Sequence, residues 1–231
     1  MTTEAYRRNP KRRARAMSAL LWILYCPVFF SSASGAAPAY VSCDQDHTKQ
    51  ALRSKELQKI AEEDQADRKT LPLSPGVSAR DRARRKRVGE IFGEGCLNTL
   101  PDYVASALVF QHGDRPDHFF QTFLWSKRAV ELGDSSQKQM MGWGIDRYLV
   151  HTGHKQLFGS QVTKDESNPC WCMEPVEKSF PDSMRIAYQL HPLEEVFTGI
   201  DKMNAGAACP HGVQCKREVQ DSPAGTVPGF W

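Results

Sequence analysis

Apolar residues recur at helical spacing through most of the chain between Thr48 and Thr152. Intervals of three and four residues mark the buried stripe of an amphipathic helix, and five such segments follow one another. The first runs from about Thr48 to Lys69 and the second from about Ser78 to Gly93. Pro101 and Asp102 suit a first turn and Gly113 a position just past the last, which frames a third. A fourth opens at Pro116 and ends at Gly133. Ser136 and Gln139 have capping-box spacing for a fifth, which runs to about Thr152. After Gly153 the pattern fades. Residues 154–180 carry Gly159, Pro169 and Pro175 and predict loops with two short strands; two short helices over 182–189 and 192–203 close the fold. The expected fold class is mainly α: a single helical domain over residues 44–203 with a loop-rich C-terminal part and disulfides. A Cys-containing flexible tail over 204–231 follows.

Three of the helical stripes are interrupted by polar residues. In the first helix Leu57, Ile60 and Ala61 set the buried face, and Asp64 and Arg68 fall within ~20° of Leu57's direction. Glu63 and Gln65 flank that pair. In the third, Val104, Ala105 and Leu108 are continued by Gln111 and His112. The fifth is apolar nearly all round (Met140, Met141, Trp143, Ile145, Tyr148, Leu149, Val150) and is expected to be largely buried, yet Asp146 and Arg147 sit in its middle. Buried charge is costly unless it is paired. Asp64, Arg68, His112, Asp146 and Arg147 are therefore expected to pair with one another between the first, third and fifth helices, as an active site or as a knot that fixes helix register. The basic run of the second helix (Arg80, Arg82, Arg84, Arg85, Lys86, Arg87) predicts a solvated face rather than an anion-binding patch. Phe119, Phe120, Phe123 and Trp125 on the fourth predict core rather than interface.

These polar positions carry a resemblance. Glu63-Asp64-Gln65 with Arg68, Gln111-His112-Gly-Asp114, Asp146-Arg147-Tyr-Leu149 and Gln156-Leu-Phe-Gly-Ser-Gln161 resemble, in the same order, a bacterial domain family of unknown function. Its pattern is EDQ-x-x-R, QHAD, DR-x-L and Q-x-YGTQ, and the likeness covers about Leu52 to Met203. Gly113 stands where the pattern has Ala, and Phe158-Gly-Ser160 where it has Tyr-Gly-Thr. The resemblance implies no reaction. It does place the 156–161 loop with the helical polar residues, where a glycine turn with two glutamine amides suits a lid or a helix cap. The cysteines are outside the pattern.

The N-terminal 39 residues have a different texture. Six basic residues lie between Arg7 and Arg15, an apolar run follows from Ala19 to Phe30, and small residues lead to Ala37-Pro-Ala39. These are the three parts of a secretory signal peptide, expected to be cleaved after Ala39. The apolar run is too short to span a bilayer and contains Pro27, so no stable membrane span is expected after cleavage. Tyr25 before Cys26 argues against a lipoprotein signal, and Asn9-Pro10 after Arg7-Arg8 against a twin-arginine one. The precursor has 30 Lys and Arg against 27 Asp and Glu, a net charge of +3. Loss of the six leader cations and Glu4 leaves 24 against 26, net −2, with no electrostatic footprint for nucleic acid.

Six cysteines remain after the leader: Cys43, Cys96, Cys170, Cys172, Cys209 and Cys215. An even count in an exported chain predicts disulfides. Cys170 and Cys172 are too close to bridge each other, so each reaches to Cys43, Cys96 or the tail, while Cys209 and Cys215 are spaced to close on themselves. The rival is zinc on Cys170, Cys172, Cys209 or Cys215 and His211, but the C-x-x-C pairs are missing. No metal or cofactor is expected.

Two functions fit. The favoured expectation is a periplasmic or secreted binding module of the immunity or inhibitor type, acting on another protein. It is suggested by a compact disulfide-braced domain with no HExxH, G-x-S-x-G, phosphate-loop or G-x-G-x-x-G signature. The alternative is a small-anion-binding or enzymatic pocket with hydrolase-type acid-base chemistry. There His112 exchanges a proton, Asp146 or Asp64 orients it, Arg68 and Arg147 hold an anionic group, and Gln65, Gln111, Gln156 and Gln161 supply hydrogen bonds. A metal held by His112, Asp64 and Asp146 is a variant, thin with one histidine.

Overall fold

The five long helices form in the order predicted. A computed structural model, which describes residues 42–69, 72–164 and 169–225, places α1 at His47–Ala66, α2 at Val77–Gly93, α3 at Leu100–Gln111, α4 at Pro116–Glu131 and α5 at Gln137–His151. The loop-rich part holds β1 (Val162–Thr163) and β2 (Cys172–Met173), an antiparallel pair, then α6 (Asp182–Ala187) and α7 (Leu193–Met203). All described residues belong to the unit Tyr40–Trp231. The leader, with Arg7-Arg8 and Cys26, and the terminal Gly229-Phe-Trp231 lie outside the described residues. Among the described residues no helix is long and apolar enough to cross a membrane.

Local chemistry sets the helix ends. Asp46 caps α1 by accepting from the Lys49 N–H at 2.9 Å. The helix stops at Ala66 rather than Lys69, because Asp67 and Arg68 turn to face α2, where Asp67 meets Arg80 and Arg84 and Arg68 meets Asp81. Thr99 and Asp102 form a reciprocal capping box on α3. The capping box expected at Ser136 and Gln139 does not form. Ser136 has helical torsions rather than the extended ones that aim an N-cap oxygen at the first turn; its hydroxyl donates to Asp134 instead, and Gln139 donates to the Gln189 carbonyl.

Packing follows from how many sides of each helix are covered. α3 lies against both α1 and α4, and α4 against α5. Because α3 is sandwiched, its most buried apolar residues are Ala105, Ala107 and Val109, while Val104 and Leu108, expected at the centre of its buried face, are only half covered. Phe119, Phe123 and Trp125 are buried and Phe120 half-buried, so the aromatic run of α4 is core. No residue of α5 from Gln137 to Val150 is exposed. A Cβ at Gly144 would sit 3.0 Å from the Phe119 carbonyl, so this glycine lets α5 approach the α4 backbone.

The basic run of α2 departs from the expected solvated face. Arg84 and Arg85 are buried, and Arg80, Arg84 and Arg87 are paired with Asp67, Asp81, Glu56 and Glu90.

Three disulfides brace the fold: Cys43–Cys96, Cys170–Cys209 and Cys172–Cys215. The self-closed Cys209–Cys215 loop is therefore ruled out, as is zinc on these thiols. The reason is visible in the backbone: Met173 N–H donates to Val213 and Cys215 N–H to Met173, which lays the tail along β2 and sets Cys215 beside Cys172. His211 pairs instead with Asp201 and Glu194. The segment expected to be loose is held further still, since Gln220 exchanges backbone hydrogen bonds with Gly153 and Lys155, and the buried Ser222 donates to Lys155 at 2.7 Å.

Candidate functional site

The buried stripe of α1 consists of Leu57, Ile60, Ala61 and Asp64, so the carboxylate enters the core as part of an apolar face. It is fully buried and meets the ring of His112, the residue that ends α3, with Nδ1 to Oδ2 at 2.8 Å. Gln65 Nε2 donates to the same oxygen at 3.0 Å. Arg68 brings its guanidinium to 3.1 Å from Oδ1, but its hydrogens point to the Asp64 carbonyl and to Asp81. Oδ1 thus has a counter-charge and no aligned donor. An Asp64 carboxylate accepting from Nδ1–H fixes the neutral imidazole in the tautomer whose lone pair is on Nε2. No hydrogen bond engages Nε2 among the described residues, and the ring lines a cavity of 320 Å³.

That cavity gathers residues from four separated segments: Gln65 after α1's buried stripe, Gln111 and His112 at the end of α3, Trp143 and Arg147 on α5, and Ser160 with Gln161 on the following loop. Arg147 donates to the Gln111 carbonyl and, at 3.1 Å, to Gln161 Oε1. No carboxylate pairs with it among the described residues. Burial, and then the neighbouring charge of Arg68, push its pKa below the ordinary guanidinium value. Gln111 is buried, and its side-chain oxygen has no hydrogen-bond partner. An unbalanced cation and the His112 imidazole therefore line one space, with the Gln111 side-chain oxygen sealed in its wall.

Two of the expected site residues are used elsewhere. Asp146 is fully buried and faces the 157–160 turn, not His112. Its Oδ1 accepts from the Leu157 and Phe158 amides at 2.8 and 3.0 Å, and its Oδ2 from the Ser160 amide and hydroxyl at 2.9 and 2.8 Å. Burial raises its pKa and these four donors oppose the rise. Gln156 is likewise spent on the loop's backbone, donating to the Gln161 and Glu174 carbonyls and accepting from the Gln161 amide. The loop that suited a lid or a helix cap is instead a pinned wall. Gly159, at φ +77°, has Leu193 2.9 Å from where a Cβ would lie, so the turn requires glycine. Buried Arg185 holds it from the other side, donating twice to the Leu157 carbonyl at 2.7 and 3.0 Å. Among the described residues no three His, Cys, Asp or Glu side chains converge for a metal, and Asp146 does not join Asp64 and His112.

No family model, curated protein or solved structure matches the chain. The site is therefore read from its own chemistry.

Sequence reasoning missed Trp143 and Met140 as cavity walls, because on an all-apolar helix they count as core. It missed Ser160, which lay inside a quoted motif, and Arg185, whose partners are all backbone carbonyls and the nearby Asp182. Only the latter leaves no pattern in the chain.

Proposed function

We propose that the cavity between α3, α5 and the 156–161 loop binds a small anionic molecule, and that His112 exchanges a proton with it. The observation that carries the proposal is Arg147, a largely buried guanidinium that lies over the Phe119 ring, hydrogen-bonds only carbonyl oxygens among the described residues, and has a second cation nearby. A buried unpaired charge is costly unless a counter-charge arrives, and the planar fork of arginine suits a carboxylate or phosphate. Gln161 and His112 line the same cavity; Gln161 Nε2 donates once, to Ser160, and has a second hydrogen for the anion. Asp64 orients the ring as a positioning residue, with the hydrolase-type acid-base role that follows from an oriented imidazole. The resemblance of these motifs to a bacterial family supports the reading, since the four resembling segments all reach this cavity.

We place the protein in the periplasm or outside the cell. The leader pattern supports this, and three disulfides fit an oxidising compartment. The immunity-type reading rests on the compartment and the missing catalytic motifs; the α4 aromatics that would serve a protein partner are mostly core.

A thermal-shift panel of short mono- and dicarboxylates, inorganic phosphate and phosphate monoesters tests the proposal. At least one anion is expected to raise the melting temperature of wild type but not of Arg147→Gln. Shifts absent from the whole panel, or equal in the variant for every anion that gives one, overturn it.

A further inference from the structure

Counting the counter-ions of α2 leaves a remainder. Arg80 is taken by Asp67, Arg84 by Asp67 and Asp81, and Arg87 by Glu56 and Glu90. Arg82, Arg85 and Lys86 share what remains, and all three line a second cavity of 550 Å³ together with Arg115. Arg82 comes no nearer than 3.9 Å to Asp114, and Lys86 no nearer than 3.9 Å to Glu90. Arg115 makes no ion pair among the described residues. Asp114 is the one carboxylate lining the cavity, and Arg85 already holds it at 3.0 Å. Four permanent cations thus face a single, engaged anion.

The cavity is also walled. Phe110 and His118 meet edge to face at 5.6 Å, and Arg85 is buried rather than waving in solvent. The Asp114 N–H donates to His118 Nδ1 at 3.3 Å, and in the ring that accepts this bond the proton is on Nε2; Asp114 Oδ1 lies 3.2 Å from the same nitrogen. Burial, then the charge of Arg85, lowers the pKa of this histidine. Four cations around one carboxylate leave more charge than a singly charged carboxylate or halide balances, and guanidinium forks with a neutral N–H donor suit the oxygens of a multiply charged phosphate.

We propose that this cavity is a phosphate-group site, separate from the His112 cavity, with Arg82, Arg85, Lys86 and Arg115 as its cationic ligands. The site is independent of the function proposed for His112. It accounts for a cavity in which four cations outnumber the one carboxylate.

The two histidines report the two cavities separately. Ring spectra of the disulfide-intact protein are followed while inorganic phosphate or glycerol 1-phosphate replaces chloride at constant ionic strength. The His118 resonance is expected to move saturably, whether or not an anion entering the first cavity also moves that of His112. Arg82→Ala with Arg115→Ala, both exposed positions, weakens binding about tenfold or more with the melting temperature in chloride unchanged, and Lys86→Ala weakens it in the same direction. Arg147→Gln leaves the His118 response intact, which separates this site from the first. Arg85 is kept, because it donates to the His112 carbonyl at 2.8 Å. Equal responses to the two phosphates assign the site to the phosphate group itself; a tighter response to the ester assigns it to a phosphorylated small molecule. A His118 resonance that does not saturate, that moves equally when chloride alone is raised, or that keeps full affinity in the double variant overturns the proposal.

Discussion

Asp64 and Asp146 lie one helix apart and are both fully buried, but they serve different neighbours. Asp146 accepts four hydrogen bonds from one loop, so Asp146→Asn would set an amide donor against those donors. Hydrogen bonds to a charged group contribute about 1.5–3 kcal/mol, and a loss of that size is expected in urea denaturation. A loss under 0.5 kcal/mol would contradict the role given to Asp146 as the loop's anchor. Asp64→Ala removes one of the two counter-charges of Arg68, which keeps Asp81, and the charged partner of His112; a cost of about 1.5–3 kcal/mol is expected. His112→Ala leaves the Asp64–Arg68 pair whole and is expected to cost about 1 kcal/mol. If the two substitutions destabilise equally, the imidazole is part of the knot rather than a group held for use. The polar residues themselves were legible in the chain because each interrupts an apolar stripe. Their partners were not: Asp146 on α5 and His112 at the end of α3 each interrupt a separate stripe, and only the arrival of the 157–160 amides decides that Asp146 turns away from His112.

α1 and α2 are joined by charges rather than by apolar contact alone. Glu56 with Arg87, Glu94 with Arg53 and Asp67 with Arg80 and Arg84 all have pKa values below the ordinary carboxylate range, the arginine hydrogen bonds being the leading cause. These acids bind protons less readily folded than unfolded. Their stabilisation is complete above the unfolded values near ~4 and disappears as the pH falls through the lower folded ones. The melting temperature is therefore expected to fall below about pH 4, and to fall less steeply in Arg80→Ala/Arg87→Ala, which has less to lose. An acid limb identical in the double variant would contradict the network. Nothing in the periodicity of α2 reveals these pairs. Arg80 reaches a residue 13 positions away and Arg87 one 31 away, so a run that looks like a solvated face becomes half interior once α1 is beside it. Helix boundaries, in contrast, depend on capping and glycine chemistry within a few residues, and for that reason five long helices could be read with only their last turns displaced.

At the scale of the molecule, the helices carry the cavity and the disulfides hold the segment that backs its wall. Cys170–Cys209 and Cys172–Cys215 close loops of 39 and 43 residues, and each bridge is expected to contribute about 2–4 kcal/mol. Cys172→Ser/Cys215→Ser should lower stability by that amount and open residues 204–222 to protease before the helices are cut. Cleavage in the helical part first would contradict the bracing. The cavity itself depends on a tautomer: Asp64 must hold the proton of His112 on Nδ1 so that Nε2 is open. A long-range proton–nitrogen spectrum of the His112 ring, recorded at a pH where it is neutral, before and after adding the anion found by thermal shift, tests this most directly. A protonated Nδ1 and an unprotonated Nε2 whose resonance moves on addition are predicted; a proton on Nε2, or a ring that does not respond, would contradict the account.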